Sequence, residues 1–146
     1  MRKPHRATVI VPLENGILLA ETFKGMVLLP GGQIERNEVP IAAAARELME
    51  ETGLEALGLS FIYETESHSN VHHVFEVTSA RGKPRARSDA KKLHFQSYER
   101  TRANEFPQVT SPATIGIIKT YYDVLLGTGC LDGGSELLPP PCIELL

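Results

Sequence analysis

The sequence predicts an α+β domain in which a mixed sheet carries helices on its faces. Three observations predict it. Short β-branched runs separated by turn signals open the chain, one strong helical pattern interrupts them after Gly32, and a second helical pattern follows a further set of strand-like runs.

Residues 6–13, RATVIVPL, predict the first strand, and Asn15-Gly16 is a hairpin signal that returns the chain as a strand over residues 17–23. Lys24-Gly25 marks another turn, and residues 26–29 form a short apolar strand that Pro30-Gly31-Gly32 ends, since proline removes a backbone donor and glycine relaxes the chain. The helix that follows is expected to take Asn37 as its N-cap, with Glu38 in the first turn and Pro40 tolerated there. Residues 42–51, AAAARELMEE, are good helix formers. Gly53 stands where a left-handed C-terminal residue is expected, and Leu54 can fold back onto the helix. Strand-like runs follow at 57–64, 71–77 and 93–98, the last two separated by a polar loop that contains RGKPRAR at residues 81–87. Residues 114–126 predict the second helix, with Ile115, Ile118, Tyr122 and Leu125 at core-facing spacing, Pro112 at its start and Gly127 at its end. The expected domain spans residues 1–127, and residues 128–146, with Gly133-Gly134 and three consecutive prolines, are expected to be poorly ordered or packed late on the surface.

A chain of 146 residues fits one domain with one sizeable core. Its 42% hydrophobic and 23% charged residues are the balance of an ordinary globular protein. A net charge of -3 creates no global positive field, so nucleic acid is not an expected partner and residues 81–87 read as a solvated loop. No apolar run has the length of a membrane span or the flanks of a secretory signal, so no membrane partner and a cytoplasmic location are expected. Cys130 and Cys142 then read as free thiols. A homodimer that completes the cleft is kept open.

The informative segment is residues 32–54, GQIERNEVPIAAAARELMEETGL. Glu47, Glu50 and Glu51 stand three and four apart and so share one helical face. Arg46, four residues before Glu50, can brace it, while Ala44, Ala45, Leu48 and Thr52 offer small or apolar contacts to the sheet. Three carboxylates on one face repel one another unless a cation binds between them. All the donors are hard oxygens, which suits Mg²⁺ or Mn²⁺, and no Cys or His in the set argues for zinc. The Pro30-Gly31-Gly32 turn can bring backbone groups to the same place, so these residues suggest metal-assisted phosphate chemistry.

The segment resembles the Nudix box, GX5EX7REUXEEXGU with U a bulky aliphatic residue, through Gly32, Glu38, Arg46, Glu47, Leu48, Glu50, Glu51, Gly53 and Leu54, with no departure from the pattern. The resemblance implies an α/β/α sandwich with a mixed central sheet. It implies a hydrolase that cuts a diphosphate linkage in a small nucleotide substrate, foremost a (deoxy)nucleoside triphosphate to monophosphate and pyrophosphate. The alternatives are ADP-ribose, nucleotide-sugar or dinucleoside-polyphosphate hydrolysis, or nucleotide sensing without turnover. By the same resemblance Glu47, Glu50 and Glu51 hold the metal, helped by a carbonyl of Gly31 or Gly32. Arg46 orients the acids, Glu38 is its structural partner, and Gly32 and Gly53 serve the backbone. The group that takes the proton from water is a box glutamate, Glu50 or Glu51, or a residue on a downstream loop, where Asp89 ranks first and His94 second. His72 and His73, adjacent on one strand, point to opposite faces, so one can face the cleft.

Overall fold

The computed structural model describes residues 2–126 and 142–146. Gly127, Cys130 and the glycine- and proline-rich stretch of the expected tail lie outside these residues. Along the described chain run β1 (His5–Ile10), β2 (Pro12–Leu13), β3 (Gly16–Thr22), β4 (Val27–Leu28), β5 (Gly31–Gln33), α1 (Pro40–Thr52), β6 (Glu55–Glu66), β7 (Val71–Arg81), β8 (Ala90–Gln96), α2 (Tyr98–Arg102) and α3 (Pro112–Leu126).

Two four-stranded sheets form the centre. The first, in the order β5-β1-β7-β6, is mixed: β1 and β7 run parallel in register His5↔Val71 to Ile10↔Glu76, and the two outer strands are antiparallel to them. In the second sheet β3 pairs antiparallel with β2, β4 and β8. Alternation along β1 explains the layering. Ala7, Val9 and Val11 face Ala43, Ala44 and Leu48 of α1, with Leu54 folded back into the same cluster. Ile10 faces the other way, with Ile17, Leu19 and Val74, toward Ile117, Ile118, Tyr121 and Tyr122 of α3. The Tyr121 hydroxyl donates to the Glu76 carboxylate and pins α3 to β7. No described helix is long and apolar enough to cross a membrane.

Several elements differ from expectation for identifiable reasons. The helix starts at Pro40, with Val39 as an N-cap that makes no side-chain bond, because the residue before a proline is pushed into extended geometry. Asn37 is not the cap; it sits in a turn before the helix at φ 65°, and Glu38 also precedes the helix. The predicted first strand breaks into β1 and β2. The two residues of the hairpin turn are Glu14 and Asn15, and Gly16 opens β3, where any Cβ would strike the backbone of Gln96. Residues 97–102 leave the predicted last strand as a short helix, capped by Ser97, which accepts from the Arg100 amide. On α3 the buried stripe is Thr114, Ile117, Ile118, Tyr121 and Tyr122, while Ile115 is half-buried. For the end of the tail the packed alternative fits: Ile143 N–H donates to Pro12 O at 2.8 Å, Leu146 N–H donates to Ala80 O at 3.0 Å, and the Ile143 and Leu145 side chains pack on the α1 cluster. Cys142 is an exposed free thiol.

Candidate active site

The acids of α1 are sorted by two guanidinium groups. Arg46 grips Glu38 with two bonds, Nε to Oε2 at 2.8 Å and Nη2 to Oε1 at 2.9 Å. It also donates to Glu47 Oε1 at 2.9 Å and to the Gln33 carbonyl at 3.2 Å, and lies 3.5 Å from Glu50. The Arg46 guanidinium, helped by the Glu35 amide, holds the Glu38 carboxyl down at about 2, and Glu38 in turn raises Arg46. A charge-assisted fork of this kind fixes geometry as well as charge, so the segment before the helix is locked to its second turn.

Glu47 and Glu51, one turn apart, face a cavity of about 300 Å³ together with Gly31, Gly32, Asp89, Thr22 and Arg6. Gly32 is required for space. A Cβ there would overlap the Glu47 carboxyl. Gly31, at φ 149°, donates its N–H toward Glu51 Oε1 at 3.4 Å. Burial pushes the Glu51 carboxyl up to about 7, with Glu47 and Asp89 adding to it and Arg6 and the Gly31 amide opposing it. Glu47 is also raised by burial, against the pull of Arg46. The cavity thus gathers negative groups for which the chain supplies too little positive charge. An all-oxygen donor set of this kind fits a hard divalent cation, which is commonly held by one or two carboxylates plus substrate phosphates. Among the described residues no three Asp, Glu, His or Cys side chains converge as a finished metal centre.

A second cavity of about 660 Å³ adjoins the first, and the two share Arg6, Leu28 and Leu29. It lies on the α3 side, lined among others by Thr8, Tyr63, Thr65, His72 and Thr120. Arg6 sits at the junction with Nη2 donating to Leu29 O at 2.8 Å; burial lowers its pKa, while Glu51 and Glu47 hold it up. His72 is buried with one ring nitrogen 2.8 Å from Thr8 Oγ1 and the other 3.0 Å from Ser67 Oγ. Burial and the nearby Arg6 charge lower its pKa to about 4, so the ring is neutral at pH 7.

The structure therefore brings together Glu47, Glu51, Gly31, Gly32 and Asp89 from the sequence-derived set, with Arg46 and Glu38 behind them. Gly53 occupies its expected left-handed place at φ 76° and bonds back to Met49 O. Gly31 donates its amide toward Glu51 Oε1. Glu50 does not join the cavity; its side chain is 48% exposed and turned toward Arg46, whereas Glu47 is 15% exposed. His94 does not join it either. On β8 the adjacent Leu93 packs toward α1, so His94 points to the other side, where Nε2 lies 2.8 Å from Glu21 Oε1. His72 and His73 do point to opposite faces. His72 reaches the larger cavity, while His73 meets His5 at 2.8 Å. Arg6 escaped the sequence reading; its only local signal is a cation opening an apolar strand.

A mixed sheet between helices, with an acidic helix set against a glycine turn, is the class this geometry defines. The NUDIX domain family model matches residues 3–114, and the chain belongs to the Nudix hydrolase family. Among curated proteins it is similar to phosphatase NudJ of Escherichia coli K12, 41% identical over 66 residues. That stretch is 42% of this chain and 43% of NudJ, less than half of the relative's length. Among solved structures it is similar to a protein from Chromobacterium violaceum described within the nudix hydrolase family, with TM-score 0.76, 22% identity and coverage of 90% of this chain and 84% of the other. It is also similar to the MutT NUDIX hydrolase of Burkholderia pseudomallei (TM-score 0.67, 20% identity, 82% and 98% covered). The ORF135 protein of E. coli gives TM-score 0.68, 23% identity, and 85% and 91% coverage. At these identities the solved structures establish the shared fold.

Proposed function

We propose that the chain hydrolyses a diphosphate linkage in a nucleoside-diphosphate derivative, with a (deoxy)nucleoside triphosphate as preferred substrate and monophosphate plus pyrophosphate as products. One observation carries this reading: two cavities of unlike chemistry meet at Arg6. The larger one, with hydroxyls, Tyr63 and neutral His72, suits an uncharged base and sugar. The smaller one, with Glu47, Glu51 and Asp89, suits phosphates accompanied by a cation. Arg6 stands where a phosphate passing between them needs a guanidinium. A bound Mg²⁺ or Mn²⁺, held by Glu47 and Glu51, would supply charge neutralisation at the phosphoryl oxygens and acidify a water.

The chain's own residues do the remaining work. Arg6 binds and orients the phosphate, Gly32 leaves room for the Glu47 carboxylate, and the Gly31 amide orients Glu51. Asp89, within the same cavity, takes the proton of the attacking water. Glu50 acts on the site only through Arg46. The names of the relatives, a phosphatase and MutT proteins, support hydrolysis of a phosphate compound. A lining rich in hydroxyls and apolar groups on one side and an acidic one on the other favours a substrate with a single nucleoside over one with two.

The test is a panel of NTPs, dNTPs, ADP-ribose, nucleotide sugars and dinucleoside polyphosphates with Mg²⁺ or Mn²⁺, read by product identity. Monophosphate and pyrophosphate from triphosphates are expected, with turnover abolished by chelator and restored by either ion. Turnover of ADP-ribose or nucleotide sugars alone would overturn the substrate assignment. No turnover of any compound would overturn the enzymatic reading in favour of a nucleotide-sensing domain.

A further inference from the structure

The basic loop that reads as a solvated connection is bonded to the end of the catalytic helix. Its root is set in the sheet, where Gly82 N–H donates to Leu146 O at 3.0 Å. Further along, Arg85 N–H donates to Thr52 O and Arg87 N–H to Glu51 O, both at 2.9 Å. Those carbonyls belong to the last turn of α1, whose carbonyl groups have no partner within the helix. The Arg87 guanidinium follows the same turn, with Nη1 3.4 Å from Met49 O and 3.6 Å from Met49 Sδ. This puts a cation at the negative end of the helix dipole. A further bond, Ala90 N–H to Arg87 O at 2.9 Å, closes a turn in which Ser88 takes φ 51°. Asp89 stands on that turn and lines the cavity beside Glu51. Glu51 therefore meets the loop twice: its backbone carbonyl accepts from Arg87 N–H and its side chain shares a cavity with Asp89.

We propose that Arg87 is a positioning residue, whose backbone and guanidinium tie the loop to the last turn of α1 and thereby set the Asp89 carboxylate against Glu51. The geometry supports this over a purely solvated loop because two consecutive odd residues, Arg85 and Arg87, satisfy helix carbonyls and the next odd residue is Asp89. The proposal rests on the reading of Asp89 as a working member of the cavity.

The experiment compares wild type with Arg87→Ala, Arg87→Lys, Asp89→Asn, the Arg87→Ala/Asp89→Asn double variant, and Lys83→Ala as an exposed charge in the same loop. Readouts are kcat and KM on the best nucleotide, and Mn²⁺ affinity by electron paramagnetic resonance without substrate. Arg87→Ala should lower kcat about tenfold while KM changes less than about threefold, since a misplaced group costs rate more than binding. It should weaken Mn²⁺ binding several-fold, Arg87→Lys should recover part of both losses, and Lys83→Ala should match wild type. In the Asp89→Asn background Arg87→Ala should cost less than about twofold, because residues acting through one another are non-additive. If Arg87→Ala does not fold, Arg87→Lys is carried through the same cycle. Either Arg87→Ala with kcat within about twofold of wild type (Arg87→Lys only where Arg87→Ala does not fold), or an undiminished loss in the Asp89→Asn background, overturns the proposal. Absence of nucleotide turnover in wild type defeats the functional reading alone. The Mn²⁺ arm then decides: equal affinity in wild type and Arg87→Ala overturns the clamp, and weaker binding relieved in the Asp89→Asn background supports it.

Discussion

Replacing Glu51 by glutamine keeps the shape of the side chain and removes one charge from the cavity. Burial raises the Glu51 carboxyl to about 7 from an ordinary 4.5. A carboxyl raised on folding costs stability above its folded value and nothing below its unfolded one. Metal-free wild type should therefore lose stability as pH rises from about 4.5 to about 7. At about 1.4 kcal/mol per pH decade the gap is worth about 3 kcal/mol, and solvent in the cavity reduces this to about 1–2 kcal/mol. Metal-free Glu51→Gln should thus melt about 2–8 °C higher than wild type at pH 8, with the difference gone near pH 4. Activity should move the other way, with kcat at saturating Mg²⁺ falling a hundredfold or more, about 3 kcal/mol of barrier. Thermal melts in chelator at the two pH values and steady-state kinetics measure both arms. A variant with kcat within about fivefold of wild type would refute the assignment of Glu51, and a metal-free variant less stable at pH 8 would refute the electrostatic argument beneath it.

Gly32→Ala should leave the fold standing, because the overlapped atoms are the movable end of Glu47, yet cut kcat by about tenfold or more by displacing that carboxylate; wild-type kinetics would show the space is not needed. His72, lowered to about 4 from 6.5, is neutral when folded, so its contribution to stability is lost as pH falls through that window. His72→Asn should lose less stability than wild type between pH 6.5 and pH 4 in parallel denaturation series, and equal losses would mean the ring is not buried as described. Ending the chain after residue 141 removes the bonds to Pro12 and Ala80 and the packing of Ile143 and Leu145. About 2 kcal/mol should be lost, and an unchanged Tm would show that the segment does not hold the sheet.

The parts of the fold legible in the sequence are those that a local pattern dictates. The acids of α1, its Gly53 terminus and the alternation of β1 are set by residues within a turn or two of one another. The start of α1 differs from the expected one because two local rules compete there. Asn37 is a good cap, but Pro40 forces Val39 out of helical geometry and starts the helix two residues later. Residues 93–98 looked uniformly like a strand, and only Ser97, whose side chain caps α2, signals the change. In the site, Glu47 and Glu51 were legible from spacing, whereas the outward turn of Glu50 depends on where Arg46 lies. Arg6 and Asp89 come together only because β1, β5, the end of α1 and the loop before β8 converge, which is long-range information.

Two arginines divide the electrostatic problem that this helix creates. Arg46 reaches Glu38, Glu47 and Glu50 and, with Glu35 at 3.8 Å, stands among four carboxylates. Glu38, from outside the helix, takes two of its three shortest bonds, and Glu47 takes the third. Of the two inner carboxylates Arg46 then reaches only Glu47, and Glu51 is left with Arg6 and one long amide bond. If Glu38 released its two nitrogens, Arg46 could give more of its charge to Glu47, and the cavity would lose part of the charge that draws a cation. The Glu38–Arg46 fork holds those nitrogens outward, so the acid outside the helix is what keeps the inner carboxylates available. Glu38→Gln should accordingly free Arg46 toward Glu47 and weaken Mn²⁺ binding, although Glu38 lies outside both cavities. Unchanged Mn²⁺ affinity in that variant would mean that the inner face keeps its charge without the fork.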